Sequence, residues 1–154
     1  RLQTLAGRRA GLNSPMGYDL VIYPEPETMT VKAINTLLFL VGLINFLPVL
    51  GVLSGGRLAQ AYGIDLPGPD LEILLRHRAL LFGIVGGFVF YALFVPTMQW
   101  PAMVMAGISK VGFLVFMLQV GDYNASLHRV MLVDIAGIVL LLAAVVLKLL
   151  ASRA

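Results

Sequence analysis

Asp70-Leu71-Glu72-Ile73-Leu74-Leu75-Arg76-His77-Arg78 joins a charged helix start to a long apolar run. Residues 79–109 contain no Asp, Glu, Lys or Arg, and Lys110 then falls inside a further apolar stretch. A helix that crosses a bilayer needs about 20 mostly apolar residues. Asp70 stands where an N-cap carboxylate would accept backbone N–H groups, and Glu72 in the first turn suits the positive end of the helix dipole. The pattern predicts a span over about 71–95, with Glu72, Arg76 and Arg78 at headgroup level.

Outward from this stretch, the same reading predicts spans over about 31–53, 102–120 and 128–150. Hydrophobic residues make up 59% of the chain and charged residues 12%, against roughly 25% charged in a soluble domain. The mean hydropathy of +0.91 agrees. The expected fold is an all-α membrane protein: an up-down bundle of four transmembrane helices over 29–154, behind a mostly irregular tail over 1–28. Four spans fill a chain of 154 residues and leave no room for a second folded domain. The first span is too long for a signal-peptide core, so it reads as an anchored helix. Pro48 should kink or end it.

The tail is rich in Gly, Pro, Ser and Asn. Such a segment buries too little apolar surface to fold alone, although residues 18–23 suit a short extended piece. Met29 stands where a small membrane protein would naturally start. The tail therefore reads as an upstream extension, partly disordered, or as a docking arm. In the first connector, residues 57–64 suit a short interfacial helix with Leu58, Ala61 and Tyr62 toward lipid. Trp100 in the 96–101 turn is an interfacial anchor type. Tyr123 and Asn124 suit capping and closing the 121–127 turn.

Four spans put both chain ends on one side, with the 96–101 turn. The opposite side carries the 54–70 and 121–127 loops and most titratable groups, including both histidines. A polar site would lie there, built from Arg76, His77, Arg78, His128, Arg129 and Asp134. Asn45 and Lys110 are the intramembrane polar residues, and such groups need a partner or water. Side chains lean toward the N-terminus of their own helix. This separates Lys110 from Asp134, so Lys110 is expected to snorkel or to meet Asn45 or Ser109. Asp134 is expected to meet Arg78, His77 or Arg129. Small residues at Gly83, Gly86 and Gly87, and at Ala102 and Ala106, allow close helix packing within the chain or between copies.

Cysteine is absent, which excludes disulfides, thiolate metal sites and thiol catalysis. No P-loop, dinucleotide fingerprint, nucleophile elbow or zincin motif occurs. No His-x-x-x-His or Glu-x-x-His spacing supports a metal site. The net charge of +3 fits topology and anionic lipid headgroups better than nucleic acid. Lys and Arg favour the side of the chain ends, which points to cytoplasmic termini.

Three stretches carry a resemblance: Gly42-Leu43-Ile44-Asn45-Phe46-Leu47-Pro48, then Leu74-Leu75-Arg76-His77-Arg78-Ala79-Leu80-Leu81-Phe82-Gly83, and Gly121-Asp122-Tyr123-Asn124. Over 29–150 the chain resembles a family of small, uncharacterised proteobacterial membrane proteins with four spans. The resemblance implies a bacterial inner membrane. Members are often labelled phosphopantetheine adenylyltransferase. Enzymes of that name are soluble α/β proteins with a His-x-x-His nucleotide motif, whereas His77 is followed here by Arg78-Ala79-Leu80 and no parallel-sheet pattern exists. The architecture is also loosely similar to DoxX-like four-span proteins.

Proton or small-solute passage past Lys110 and Asn45 fits least, because four short spans leave little lumen unless the protein oligomerises; two other functions fit better. One is a non-catalytic accessory or scaffold subunit that packs against lipids, other membrane subunits or itself. The other is an intramembrane binder or enzyme for a lipophilic molecule such as a quinone, a lipid or a sterol-like compound. Its polar site would face the 54–70 and 121–127 loops. Beyond a bound lipid or quinone, no cofactor is expected.

Overall fold

The computed structural model describes residues 29–153. The expectations for the tail over 1–28 lie outside the described residues. Five α-helices follow in order: α1 (Met29–Phe46), α2 (Gly55–Tyr62), α3 (Pro69–Phe94), α4 (Gln99–Val120) and α5 (Ala125–Ala151). A 3-10 segment, Leu47–Leu53, extends α1, and a second, Pro96–Met98, precedes α4. Pro48 removes a backbone donor at the start of the first segment, which is where the α-helical ladder stops.

α1 with its extension, α3, α4 with its preceding turn, and α5 are each long and apolar enough to cross a membrane. The chain is a multi-pass membrane protein. α1 packs on α3 and α5, and α4 closes the ring by packing on both. The bundle is up-down, with α2 folded across one end. In lipid, every backbone polar group needs an internal partner, and helices supply them.

Helix starts differ from the sequence expectation in instructive ways. α3 begins with Gly68 at the N-cap and Pro69 in its first turn, so Asp70 is not the cap but lies in the first turn with Glu72. α4 begins before Pro101, not after it. A proline in the first turn loses only an N–H that has no intrahelical acceptor. α5 begins at Ala125 because the Asn124 side chain accepts from Leu127 N at 2.8 Å.

The core has two parts. The larger one joins the bundle at the end where α1 starts and α5 finishes: Leu38 and Val41 of α1, Val89 and Ala92 of α3, Ala102 and Ala106 of α4, and Leu141 and Ala144 of α5. The smaller joins Leu58, Ala59 and Tyr62 of α2 to Leu75 and Ala79 of α3. The lipid-facing reading of Leu58 and Tyr62 is therefore corrected: both are buried against protein. An apolar stripe does not distinguish lipid from a neighbouring helix, because the two are equally apolar. Ala61 remains exposed.

Small residues set the closest crossing. A Cβ on Gly86 would lie 2.7 Å from Phe46 N and 2.9 Å from Gly42 O, and one on Gly83 would lie 2.5 Å from Val49 Cγ2. Gly87 has open space beside it, so it takes no part in this contact.

Asn124 does more than cap α5. Its amide also donates to Tyr62 O at 2.9 Å and Gly63 O at 3.0 Å, which ties the end of α2 to the start of α5. Gly63 ends α2 at φ 62°, the left-handed conformation that glycine adopts without penalty. Asn124→Ala is expected to cost about 1–2 kcal/mol through the lost cap and the orphaned α2 carbonyls. Amide exchange over residues 55–63 should rise in the same variant. Unchanged exchange there would show that α2 is held by its apolar face alone.

Candidate functional site

The polar end of the bundle carries a half-open cavity of about 330 Å³. Its apolar wall is Ile44 of α1, Leu47 and Pro48 of the 3-10 segment, Leu58 and Tyr62 of α2, Phe82 of α3, and Val130 and Val133 of α5. Its polar groups are Arg78, Lys110, Ser126, Arg129 and Asp134. Leu47 is 55% exposed and Val133 50% exposed, which places the open side of the rim at the apolar flank of the bundle.

Lys110 and Asp134 form the floor. Lys110 Nζ donates to Asp134 Oδ1 at 2.6 Å, with side chains 1% and 9% exposed. The expected separation of these two is thereby overturned, as are the partners expected for each. Two features bring them together. α5 starts at Ala125, so Asp134 lies deeper than a start near 128 would put it. Gly137, one turn further along α5, leaves room for the lysine stem: a Cβ there would come within 2.7 Å of Lys110 Cε. The stem crosses α5 over Gly137, and the ammonium reaches back to the carboxylate. A 2.6 Å contact between ionised partners is a charge-assisted hydrogen bond.

Arg78 lies above this floor. Its guanidinium carbon is 5.3 Å from the Tyr62 ring centroid, 5.4 Å from that of Phe82 and 5.0 Å from that of Phe113. Three aromatic faces hold the cation by cation–π attraction, which strengthens where water is scarce. Arg78 has no hydrogen-bond acceptor and no carboxylate partner among the described residues. Planar guanidinium tolerates this setting because it is weakly hydrated and stacks on rings.

The six residues expected to form a polar site divide into two groups. Arg78, Arg129 and Asp134 line the cavity, and Lys110 joins them. Arg76, His77 and His128 do not. Arg76 donates to Val52 O at 2.8 Å and pairs with Glu72 at 3.6 Å, which ties α3 to the 3-10 segment. His77 is exposed, and His128 stacks on Tyr123 with ring centroids 6.2 Å apart. Among the described residues no cluster of three His, Asp or Glu is placed to hold a metal ion. Asn45 is buried in α1; its amide donates to Val41 O at 2.7 Å and its Oδ1 has no partner among the described residues.

Sequence reasoning missed Tyr62, Phe82, Phe113 and Ser126. The Arg78–Phe82 spacing of one helical turn was a signal for the first contact; nothing local connects Arg78 to Tyr62 or Phe113.

A second polar layer lies at the opposite end. Gln99 Nε2 donates to Asn35 Oδ1 at 3.1 Å, and Lys148 Nζ donates to Gln99 Oε1 at 2.6 Å. This layer fastens α1, α4 and α5 at the end where α1 starts and α5 finishes. Lys148 sits in the last turn of α5, where unpaired carbonyls favour a cation.

No family model, no curated protein and no solved structure matches this chain.

Proposed function

We propose that this membrane protein binds a lipophilic small molecule with a polar head, seated in the cavity between the five helices at the α2 end of the bundle. The observation that carries the reading is one cavity that joins apolar walls to a guanidinium with no acceptor among the described residues. Small-molecule sites are concave, mostly apolar and supplied with a few convergent polar groups. This cavity has that make-up, and its open rim at Leu47 and Val133 suits entry from the bilayer. The volume of about 330 Å³ falls at the low end of the usual range of about 300–1,000 Å³, so it suits one chain or one ring system. The family resemblance and the distribution of Lys and Arg favour a bacterial inner membrane with cytoplasmic termini. An accessory-subunit role is the competing reading, and it predicts a different outcome for one experiment.

That experiment is gentle extraction into a non-ionic detergent followed by native mass spectrometry. One bound amphiphile per chain is expected, and Val133→Trp, which fills the rim, should remove it while the thermal melt stays intact. A stoichiometric partner protein with an empty cavity would favour the accessory reading instead. Equal ligand retention in Val133→Trp would place the amphiphile elsewhere.

A further inference from the structure

We infer that the head of the bound amphiphile is an oxyanion, a phosphate or carboxylate on a single acyl chain, held by Arg78 with Arg129. The inference rests on the ligand-binding reading and narrows its chemistry. The cavity lining carries three cations, Arg78, Lys110 and Arg129, against one carboxylate, Asp134. Asp134 is committed to Lys110 at 2.6 Å. Two guanidinium groups are left without a counter-charge among the described residues.

An unmatched cation at the edge of hydrocarbon is unfavourable, and membrane proteins pair or solvate such groups. Arg78 is half-buried and ringed by Tyr62, Phe82 and Phe113. Those rings orient the guanidinium, and its N–H donors have no acceptor among the described residues. A guanidinium presents its donors in a planar fork that matches a carboxylate or phosphate. The hydroxyls of Ser126 and Tyr62, two further lining residues, also have no partner among the described residues. The layer at the other end of the bundle differs: Asn35, Gln99 and Lys148 satisfy one another. The head is thus expected among Arg78, Arg129 and Ser126, with the chain running along Ile44, Leu47 and Val133 toward lipid.

The test compares three probes on the full-length protein in maltoside micelles, which contain no phosphate. The probes are an 18-carbon lysophosphatidate, the monoacylglycerol with the same chain, and inorganic phosphate. The lysophosphatidate should bind roughly tenfold to a hundredfold more tightly than the monoacylglycerol, as expected for a charge-assisted contact. Arg78→Gln should abolish most of that preference, and Arg78→Lys should retain part of it. Should Arg78→Gln fail to fold, the exposed Arg129→Gln supplies the same comparison with a smaller loss. Phosphate alone should not bind measurably. Equal affinity for both lipids in wild type, both lost in Val133→Trp, would overturn the oxyanion and leave the ligand-binding reading standing. Failure of both lipids to bind would overturn the ligand-binding reading itself. Phosphate alone binding as tightly as the lysophosphatidate would overturn the acyl chain and indicate a free-anion site.

Discussion

Lys110→Met and Asp134→Leu, made singly, are each expected to cost about 3–5 kcal/mol, because each leaves the other charge buried and unpaired. The pair lies near the middle of α4 and a third of the way along α5. Lys110 is 1% exposed and Asp134 6%, so little water reaches them. The double variant Lys110→Met/Asp134→Leu should recover most of the loss. Removing both charges removes the desolvation cost along with the attraction, and apolar replacements for buried pairs are often neutral or stabilising. Thermal unfolding in nanodiscs measures all three. Two single variants that each cost under about 1 kcal/mol, with no recovery in the double, would mean that water in the cavity solvates the pair. The double variant also bears on function. The cavity keeps its walls but loses its polar floor, so ligand affinity that survives would confine the head to Arg78 and Arg129.

The four spans were legible because hydropathy over twenty residues is a collective signal that no single misplaced residue spoils. The floor of the cavity was not, because depth in a bundle depends on where each helix starts. At about 1.5 Å per residue, Asp134 lies about 13 Å below the start of α5 at Ala125, and Lys110 about 15 Å before the end of α4 at Val120. A start near 128 would lift Asp134 by about 4–5 Å, enough to break a short contact. The lean of side chains toward their own N-termini does not limit reach either: a lysine stem laid over Gly137 spans about a full helical turn. Arg78 lines the cavity at the polar end, but its aromatic cage is invisible in the sequence. Tyr62, Phe82 and Phe113 come from three helices, and only the folded bundle brings them to one guanidinium. Histidines drew attention by type, yet His77 is exposed on the outer face of α3.

Adjacent glycines should respond in opposite directions to the same substitution. Gly86→Ala is expected to destabilise by about 1–3 kcal/mol, and Gly87→Ala to stabilise by up to about 1 kcal/mol. The added Cβ at 86 meets main-chain atoms, Phe46 N and Gly42 O, both closer than 3 Å. Main chain cannot swing aside as a rotamer does, so α1 must retreat from α3. At 87 nothing lies within 4 Å, and alanine simply fixes a helical backbone more readily than glycine. The i, i+4 spacing of Gly83 and Gly87 would pick Gly87, whereas Gly83 and Gly86 make the contact. Each residue turns the helix by about 100°, so Gly86 falls on the α1 contact and its neighbour does not. The retreat of α1 also moves Ile44, Leu47 and Pro48, which wall the cavity opposite Arg78 and Phe82. Gly86→Ala is therefore expected to weaken ligand retention as well as stability, and Gly87→Ala to leave retention unchanged. Equal melting temperatures and equal retention in the two variants would mean that the α1–α3 crossing is loose, and that the cavity does not owe its shape to that contact.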